Sequence, residues 1–399
     1  MNTINNLTGR GITLGNLYTT SKSLGNSNML DIFKTIHIEK EISRVELVDK
    51  TCYSPGTISN HVTTLLDKEL ILEQKKGISQ GGRKPIYLKV NAHKHFILAV
   101  KIEVKKVSLY LLDLDLNVVE LVEKQDNKPI SYENCLNFLS TNISQMLAKR
   151  KDIKDKILGL GISVPAIINR EEGLIEIAPN LKWYKKSILQ DLKNKYDFPF
   201  YLENDAKAGA LGEKNRTKGD TNNFVYVLIN EGIGCGIVIN GELYRGSNDN
   251  AGEFGHVKID PQGPNCHCGN SGCWETLASV NYLVNAWEKH TGEQSNIQNI
   301  YKLAVKGKKE ACSLFGKLGE NIGAGIVSII NGLSPGKIII NGKIVQAKTF
   351  IDKSITKKAK EESLQVAYDN VKIEYSKLLD KAEVIGIGYS IIERSRLFQ

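Results

Sequence analysis

Three cysteines within eight positions, in the stretch "NCHCGNSGCWE", are the residues with the clearest chemical potential in this chain. Cys266, Cys268 and Cys273 would supply three thiolates, and either His256 or His267 would supply an imidazole. Three sulfurs and one nitrogen suit a closed tetrahedral Zn²⁺ site. Because such a site has no open coordination position, we expect the ion to be structural and not catalytic.

The other cysteines give no sign of a disulfide framework. They stand singly in apolar surroundings, where a cysteine is usually a small buried hydrophobe: Cys52, Cys135, Cys235 and Cys312. The total of seven is odd, and in a reducing cytosol close cysteines are more often metal ligands than disulfide partners. The alternative is a glycine-rich loop with unliganded thiols.

Length and composition indicate that the protein carrying this cluster is soluble and has more than one domain. The 399 residues are 41% hydrophobic and 24% charged, and no apolar run approaches the roughly 20 residues of a membrane helix. We therefore expect a cytoplasmic protein with no membrane partner. The polar segment 1–26 has no secretory signal pattern and is predicted to be a disordered tail.

Residues 27–90 predict a winged helix-turn-helix. The run "NMLDIFKTIH" has one apolar helical face, and Ser43 with Glu46 three residues later forms the pattern of a capping box. Ser54 precedes a second helix whose first residue is Pro55, and the short turn "TCYS" separates the two helices. Two strand-like runs then flank the glycine-rich basic loop "GGRKP", which is typical of a wing.

The polar face of the second helix and the basic loop are predicted to bind DNA. Met1 to His95 contain 13 Lys/Arg and 8 Asp/Glu, an excess of five positive charges. Any helical hairpin has a polar face, but the basic loop behind it favours the DNA reading, because cations on a close-approaching backbone suit a narrow minor groove. We expect contacts from Thr57, Ser59, Asn60, His61, Arg83 and Lys84.

An α/β architecture is predicted for the rest of the chain. Three strand-like runs with short turns follow residue 95, and after them come an amphipathic helix at about 131–150 and the apolar strand "KILGLGISVP". A second glycine-rich series, "FVYVLINEGIGCGIVINGELYRG", again predicts a strand, a tight turn and a strand. Two related lobes facing a cleft would follow, and ligands usually bind in such clefts.

Four motifs in this part resemble the ROK family, which comprises sugar kinases and sugar-responsive repressors. They are "YLENDAKAGALGE", "NEGIGCGIVINGELYRG", "NAGEFGHVKID" and "CHCGNSGCWETLAS", in that order. The resemblance implies a two-lobed, actin-like (ribonuclease H-like) domain over 91–399, split near residue 205, with a C-terminal helix that returns to the first lobe. With a winged helix in front, the whole chain is similar to the repressor branch.

The resemblance also implies where a sugar would bind. It favours His256 over His267 as the metal ligand, and an ion held there would fix the flanking carboxylates relative to each other. The implied sugar-binding residues are Asn204, Asp205, Glu253, His256 and Glu275. Asn180 and Trp183 are expected to line the same cleft. Without the resemblance, the charged side chains could equally cap helices or face solvent.

The two turns that bind the nucleotide phosphates in kinases of the family have different residues in this chain. Where kinases of the family have an Asp-x-Gly-Gly-Thr turn, this chain reads "VKIEVKKV", so that Lys101 stands in place of the aspartate and Glu103 in place of a glycine. In the second phosphate turn, Glu231 would bring a negative charge towards the phosphates. We therefore predict that ATP binding is lost, that the protein is not an enzyme, and that Asp205 only accepts a ligand hydrogen bond.

The sequence thus predicts a repressor of carbohydrate genes that leaves double-stranded operator DNA when a sugar binds. Xylose is favoured only by overall similarity to one repressor subgroup. A homodimer or dimer of dimers is expected, because two winged helices on a two-fold axis match a palindromic operator. The alternatives are an active ATP-dependent sugar kinase with a DNA-binding head and a zinc-sensing regulator.

Overall fold

The computed structural model describes residues 24–75, 86–216 and 222–398. The tip of the predicted wing, with Arg83 and Lys84, lies outside the described residues, as does the predicted tail up to residue 23. The first helix already begins at Leu24. Residues 24–26 therefore belong to a helix and not to the predicted tail.

The N-terminal head, residues 24–90 as far as they are described, contains three helices and a small antiparallel sheet. In chain order its elements are α1 (Leu24–Glu39), β1 (Ile42–Ser43), α2 (Arg44–Thr51), α3 (Pro55–Asp67), β2 (Ile71–Lys75) and β3 (Ile86–Val90). The strand order is β1–β3–β2. This order of helices and strands is the one expected for a winged helix-turn-helix, and the predicted wing between β2 and β3 lies outside the described residues.

Local side-chain caps explain where the helices of the head begin and end. The Ser43 hydroxyl accepts a hydrogen bond from the Glu46 N–H, and the Glu46 carboxylate accepts one from the Ser43 N–H at 2.8 Å. The Ser54 hydroxyl likewise accepts from the Thr57 N–H at 3.1 Å. Cys52 ends α2 in a left-handed conformation with φ 57°. The turn is therefore one residue shorter than the predicted "TCYS".

The first lobe of the C-terminal part is built on a five-stranded sheet. Its elements are β4 (Phe96–Ile102), β5 (Lys106–Asp113), β6 (Val118–Gln125), α4 (Tyr132–Lys149), β7 (Ile157–Val164), β8 (Ile167–Asn169), β9 (Leu174–Ala178), β10 (Trp183–Lys186), α5 (Ile188–Lys193) and β11 (Phe200–Asn204). The strand order is β11–β7–β4–β5–β6, in which β4, β5 and β6 form the predicted antiparallel meander. Strands β7 and β11 add in parallel.

The second lobe repeats this topology. Its elements are α6 (Asp205–Arg216), β12 (Phe224–Ile229), β13 (Ile233–Ile239), β14 (Glu242–Tyr244), α7 (Trp274–Ala278), α8 (Val280–Thr291), α9 (Ile297–Val305), α10 (Lys309–Leu333), β15 (Lys337–Asn341), α11 (Lys348–Glu362), α12 (Gln365–Tyr368) and β16 (Lys372–Tyr375). The sheet order β16–β15–β12–β13–β14 matches that of the first lobe strand for strand. The predicted pair of related lobes is therefore present.

The last long helix, α13 (Ala382–Arg394), lies against the first lobe and against α6. Gly161 of β7 makes room for it, because a Cβ there would lie 2.2 Å from Ile387 Cγ2. The chain thus returns from the second lobe to the first. Among the described helices, none is both long and apolar enough to cross a membrane.

Candidate functional site

A cluster of three thiols and one imidazole lies beside the cleft between the lobes. The ligand atoms of His256, Cys266, Cys268 and Cys273 all lie within 4.8 Å of one another. Cys266 Sγ lies 3.6 Å from His256 Nδ1, and Cys268 Sγ lies 3.6 Å from Cys273 Sγ. Ligand atoms of a tetrahedral Zn²⁺ ion lie roughly 3.5–3.8 Å apart, so these side chains fit that ion.

Backbone hydrogen bonds hold the cysteine loop in shape. The Cys266 N–H donates to the Asn270 carbonyl at 2.7 Å, and the Trp274 N–H donates to the Val257 carbonyl at 2.8 Å. The second bond joins the end of the loop to the residue after His256. Burial raises the pKa of Cys268, but hydrogen bonds from the Asn270 backbone and the neighbouring thiols outweigh it and lower the pKa to about 7. Burial raises the pKa values of Cys266 and Cys273, so Cys268 is the one thiol of the three that favours the thiolate near neutral pH before an ion binds.

His267 belongs to a different group of side chains. Its ligand atom clusters with those of His256, Cys266 and Glu275, and its Nδ1 lies 3.4 Å from Glu275 Oε1. It does not join the three-thiolate set. Among the described residues, His256 is therefore the imidazole that completes three sulfurs and one nitrogen.

A cavity of about 240 Å³ between the lobes brings the predicted sugar-binding residues together. All five line it: Asn204, Asp205, Glu253, His256 and Glu275. A wider cavity of about 760 Å³ shares Asn180 and Glu275 with it and opens alongside α8. Since pockets for drug-sized ligands occupy about 300–1,000 Å³, the inner cavity suits a smaller molecule such as a monosaccharide.

Asn204 and Asp205 stand at the junction of β11 and α6. Asn204 donates from its amide to the Ala166 carbonyl at 3.2 Å, and its side-chain oxygen accepts from the Lys207 N–H at 3.1 Å. Asp205 Oδ1 accepts from the Ala206 N–H at 2.8 Å. Burial, followed by the charge of Glu383, raises the pKa of Asp205 to about 8. The site therefore holds this carboxyl at a fixed angle and favours its protonated form at neutral pH.

His256 connects the cysteine cluster to the cavity. Its Nδ1 faces Cys266, whereas its Nε2 lies 3.9 Å from Glu253 Oε2. Glu275 Oε1 accepts from Cys266 Sγ at 3.2 Å and lies 3.5 Å from His256 Nδ1. Gly232 makes room for this carboxylate, because a Cβ there would lie 2.8 Å from Glu275 Oε2. One ring nitrogen can thus bind a metal while the other faces the ligand space.

Glu383 is a cavity residue that the sequence reasoning missed. It lines the cavity from the first turn of α13 and forms a buried ion pair with Lys101, whose Nζ lies 3.0 Å from Glu383 Oε1. The Ser163 hydroxyl donates to its other oxygen at 3.3 Å. Burial raises the pKa of Glu383. The available signal was an acidic residue at the start of the otherwise apolar run "AEVIGIGYSII".

One expectation for the nucleotide side needs correction. Lys101 is 4% exposed and pairs with Glu383, whereas Glu103 lines the cavity. The charge of Glu231 is also paired, because Lys343 Nζ lies 2.6 Å from Glu231 Oε1 and 3.9 Å from Glu103 Oε1. A phosphate would thus meet a cation already held by carboxylates, and not an unpaired negative charge as predicted.

Of the two residues predicted to line the cleft, Asn180 does so and Trp183 does not. Asn180 lines both cavities. Trp183 does not line either one, because its indole is buried against Tyr132 and donates from Nε1 to the Ile130 carbonyl at 3.0 Å. The prediction for Trp183 is wrong: a tryptophan close to the cleft in sequence is a core residue of the first lobe.

The predicted DNA-contacting residues of α3 share its outer face. Ser59 and Asn60 are exposed, and Thr57 and His61 are partly exposed, whereas Ile58 faces the core. The Thr57 hydroxyl also lies 2.9 Å from Ser54 Oγ within the helix cap. Short polar side chains on the second helix of a helix-turn-helix suit contacts to base edges and phosphates.

Comparison of the amino-acid sequence with known proteins identifies a family model and a similar repressor. The model of the ROK family matches residues 97–393. The xylose repressor of Caldicellulosiruptor bescii is 31% identical over 376 residues, which cover 90% of this chain and 94% of that protein.

Solved structures give the same result for the fold. The structure of a ROK family transcriptional regulator, a homologue of the E. coli MLC protein, has a TM-score of 0.74 and 27% identity and covers 94% of this chain and 97% of its own. A ROK family glucokinase from Streptomyces griseus, solved with glucose and AMPPNP, has a TM-score of 0.65 and 22% identity. It covers 75% of this chain and 99% of its own.

Proposed function

The chain belongs to the ROK family, and we propose that it is a transcriptional repressor that leaves its operator when a sugar binds between the lobes. The observation that carries the proposal is the presence, on one chain, of a helix-turn-helix head and a cavity of about 240 Å³ whose lining includes Asn204, Asp205 and Glu253. The glucokinase covers 75% of this chain and 99% of its own. About a quarter of this chain therefore has no counterpart in that enzyme, whereas the xylose repressor matches 90% of it.

The sugar site that we propose is the inner cavity. Carboxylates and amides accept from and donate to vicinal hydroxyls, and a ligand without those hydroxyls would leave buried polar groups unpaired. The proposed sugar-binding residues are Asn204, Asp205, Glu253, His256 and Glu275. Xylose is the first candidate, because the C. bescii relative is a xylose repressor.

A structural Zn²⁺ ion is proposed at His256, Cys266, Cys268 and Cys273. When bound, it supplies a crosslink between the cysteine loop and the turn that carries His256. Glu253 lies three residues before one ligand, and Glu275 lies two residues after another. The crosslink would therefore fix the separation of the two carboxylates across the cavity.

DNA binding is assigned to the outer face of α3 and to the basic loop between β2 and β3. Thr57, Ser59, Asn60 and His61 would contact the major groove, and Arg83 and Lys84 would contact the backbone or the minor groove. We propose a homodimer or a dimer of dimers, since paired winged helices read the two halves of a palindromic site.

We propose that the protein is not a sugar kinase, although glucokinases share its fold. Lys343 is already paired with Glu231 of the second phosphate turn and lies 3.9 Å from Glu103. A nucleotide phosphate would have to displace these carboxylates or lie beside them. The kinase alternative requires sugar-dependent ATP turnover that Asp205→Asn abolishes.

A pair of variants tests the proposed function. Glu253→Ala is expected to abolish the rise in melting temperature that xylose causes while leaving operator affinity unchanged, because it removes only a sugar contact. Arg83→Ala is expected to weaken operator binding and to keep the xylose effect. The melting temperature is measured with xylose, glucose and N-acetylglucosamine, and operator binding by fluorescence anisotropy. Loss of both functions in both variants would contradict the assignment.

A further inference from the structure

Two helices run from the sugar cavity to the DNA-binding head. Helix α6 begins at Asp205 in the cavity and ends at Arg216, and its 12 residues span about 17 Å. Helix α13 carries Glu383 of the cavity in its first turn and Tyr389 nearly two turns further on. Each helix therefore has one end at the ligand space and the other at a distance from it.

The two helices are in close backbone contact. A Cβ on Gly386 would lie 1.8 Å from the Ala208 carbonyl oxygen, and a Cβ on Gly212 would lie 1.9 Å from the Ala382 carbonyl oxygen. Neither helix can slide past the other without a clash, since packed interiors resist small displacements. A shift at the cavity end is thus carried to the far end of both helices.

The end of α6, at Arg216, and the middle of α13, at Tyr389, meet α1 of the head at a buried histidine. The Tyr389 hydroxyl lies 2.5 Å from His37 Nδ1, and Arg216 contributes an N–H 3.3 Å from His37 Nε2. Asp115 Oδ1 lies 3.2 Å from the same Nε2. His37 is fully buried, and burial lowers its pKa to about 2, so the ring is neutral. We call His37, Asp115, Arg216 and Tyr389 the head contact.

We propose that the pair α6–α13 transmits sugar binding to the head through the head contact. This inference rests on the proposed function. A sugar that contacts Asp205 at the start of α6 would displace the helix pair and alter the contacts of Arg216 and Tyr389 with His37. Because the His37 ring is 0% exposed, bulk water cannot replace the lost hydrogen bonds, and the orientation of the head would change with them.

The test is the coupling between sugar and operator in the full-length protein. The operator probe is a duplex that the wild-type protein selects from random DNA, and the sugar probes are xylose, glucose and N-acetylglucosamine in turn. The coupling ratio is the operator Kd at saturating sugar divided by the Kd without sugar. Tyr389→Phe keeps the ring and removes the hydroxyl, and it is expected to lower the ratio by about 3- to 30-fold. Arg216→Gln is expected to act in the same direction, and both variants should still bind sugar.

A matched control variant removes a tyrosine hydrogen bond that lies outside the head contact. The Tyr132 hydroxyl donates to Asp191 at 2.6 Å in the first lobe. Tyr132→Phe is therefore expected to keep the wild-type ratio. By linkage, the same ratio must be obtained from sugar affinities measured with and without DNA, which checks each value independently.

Two outcomes would overturn the inference, and they differ from each other. If the wild-type protein couples sugar to DNA and both Tyr389→Phe and Arg216→Gln retain the full ratio, the helix pair does not carry the signal. If the wild-type ratio is one for all three sugars, the proposed function fails and the inference fails with it.

Discussion

Asp205 illustrates how the site changes the chemistry of a single side chain. It is partly buried at the start of α6, with one oxygen bonded to the Ala206 N–H and with the Lys101–Glu383 ion pair close by. Burial and the Glu383 charge raise its pKa, while Lys101 opposes that rise. A carboxyl that holds a proton near neutral pH can donate as well as accept a hydrogen bond, which suits a sugar hydroxyl.

The raised pKa of Asp205 predicts a pH-dependent stability. Between the ordinary value of 3.8 and the folded value of about 8, the folded protein holds a proton that the unfolded chain has lost. This stabilisation is complete at low pH and disappears as the pH rises through about 8. Asp205→Asn lacks this titration. The melting temperature of the variant minus that of the wild type, both measured without sugar, should therefore increase from pH 6 to pH 9. A difference that stays constant or decreases with pH would contradict the prediction.

The cysteine loop lies in the chain between Glu253 and Glu275, two of the carboxylates of the cavity. Its shape depends on backbone hydrogen bonds and on glycines such as Gly269 and Gly272, whose φ values are 92° and 69°. Few apolar side chains stabilise it, and Cys268 is exposed. A metal crosslink would therefore contribute much of its stability.

Removal of one thiol is expected to remove the ion and to weaken sugar binding. Cys268→Ser should lose bound zinc and lower the affinity for xylose, because Glu253 and Glu275 would no longer be held at a fixed separation. Zinc content is measured by elemental mass spectrometry after dialysis. Cys52→Ser, at an exposed cysteine of the head, is the control and should keep about one zinc per chain. Wild-type zinc content in Cys268→Ser would refute the ligand set, and operator affinity that follows free Zn²⁺ would favour the zinc-sensing alternative.

The molecule as a whole consists of two lobes with the same strand order and a head that lies against the first lobe and α6. Besides the head contact, Lys34 of α1 pairs with Glu393 of α13, and Lys68 donates to the Leu397 carbonyl at 2.8 Å. Phe33 of α1 packs against Phe398, with ring centroids 5.2 Å apart. The C-terminal segment thus forms part of the surface against which the head packs. The position of α3 therefore depends on this segment.

A two-fold assembly is expected for the sugar-free protein. Light scattering should give two or four times the mass of one chain, and DNA footprinting should protect two half-sites about one or two helical turns apart. The physical reason is that one α3 contacts only a short stretch of major groove, so that two are needed for a specific site. A monomer that protects a single half-site with full affinity would contradict this expectation.

The sequence by itself determined the features that depend on short spacing. The capping box of Ser43 and Glu46, the Ser54 cap and the meander of β4 to β6 all follow from residues a few positions apart. The three cysteines of the proposed metal site were also readable from their spacing and chemistry, whereas the choice of His256 over His267 came from the family resemblance. The polar residues of the cavity came from the family motifs, and the structure places all five on one cavity.

Only the tertiary structure decided the contacts between distant parts of the chain. The pairs Lys101–Glu383 and Glu231–Lys343 join residues more than one hundred positions apart, and no local pattern brings them together. The same holds for His37 and Tyr389, which meet because α13 returns to the first lobe and α1 packs against it. Charges and buried polar groups take their properties from whichever neighbours the fold supplies, so their roles follow from packing and not from spacing.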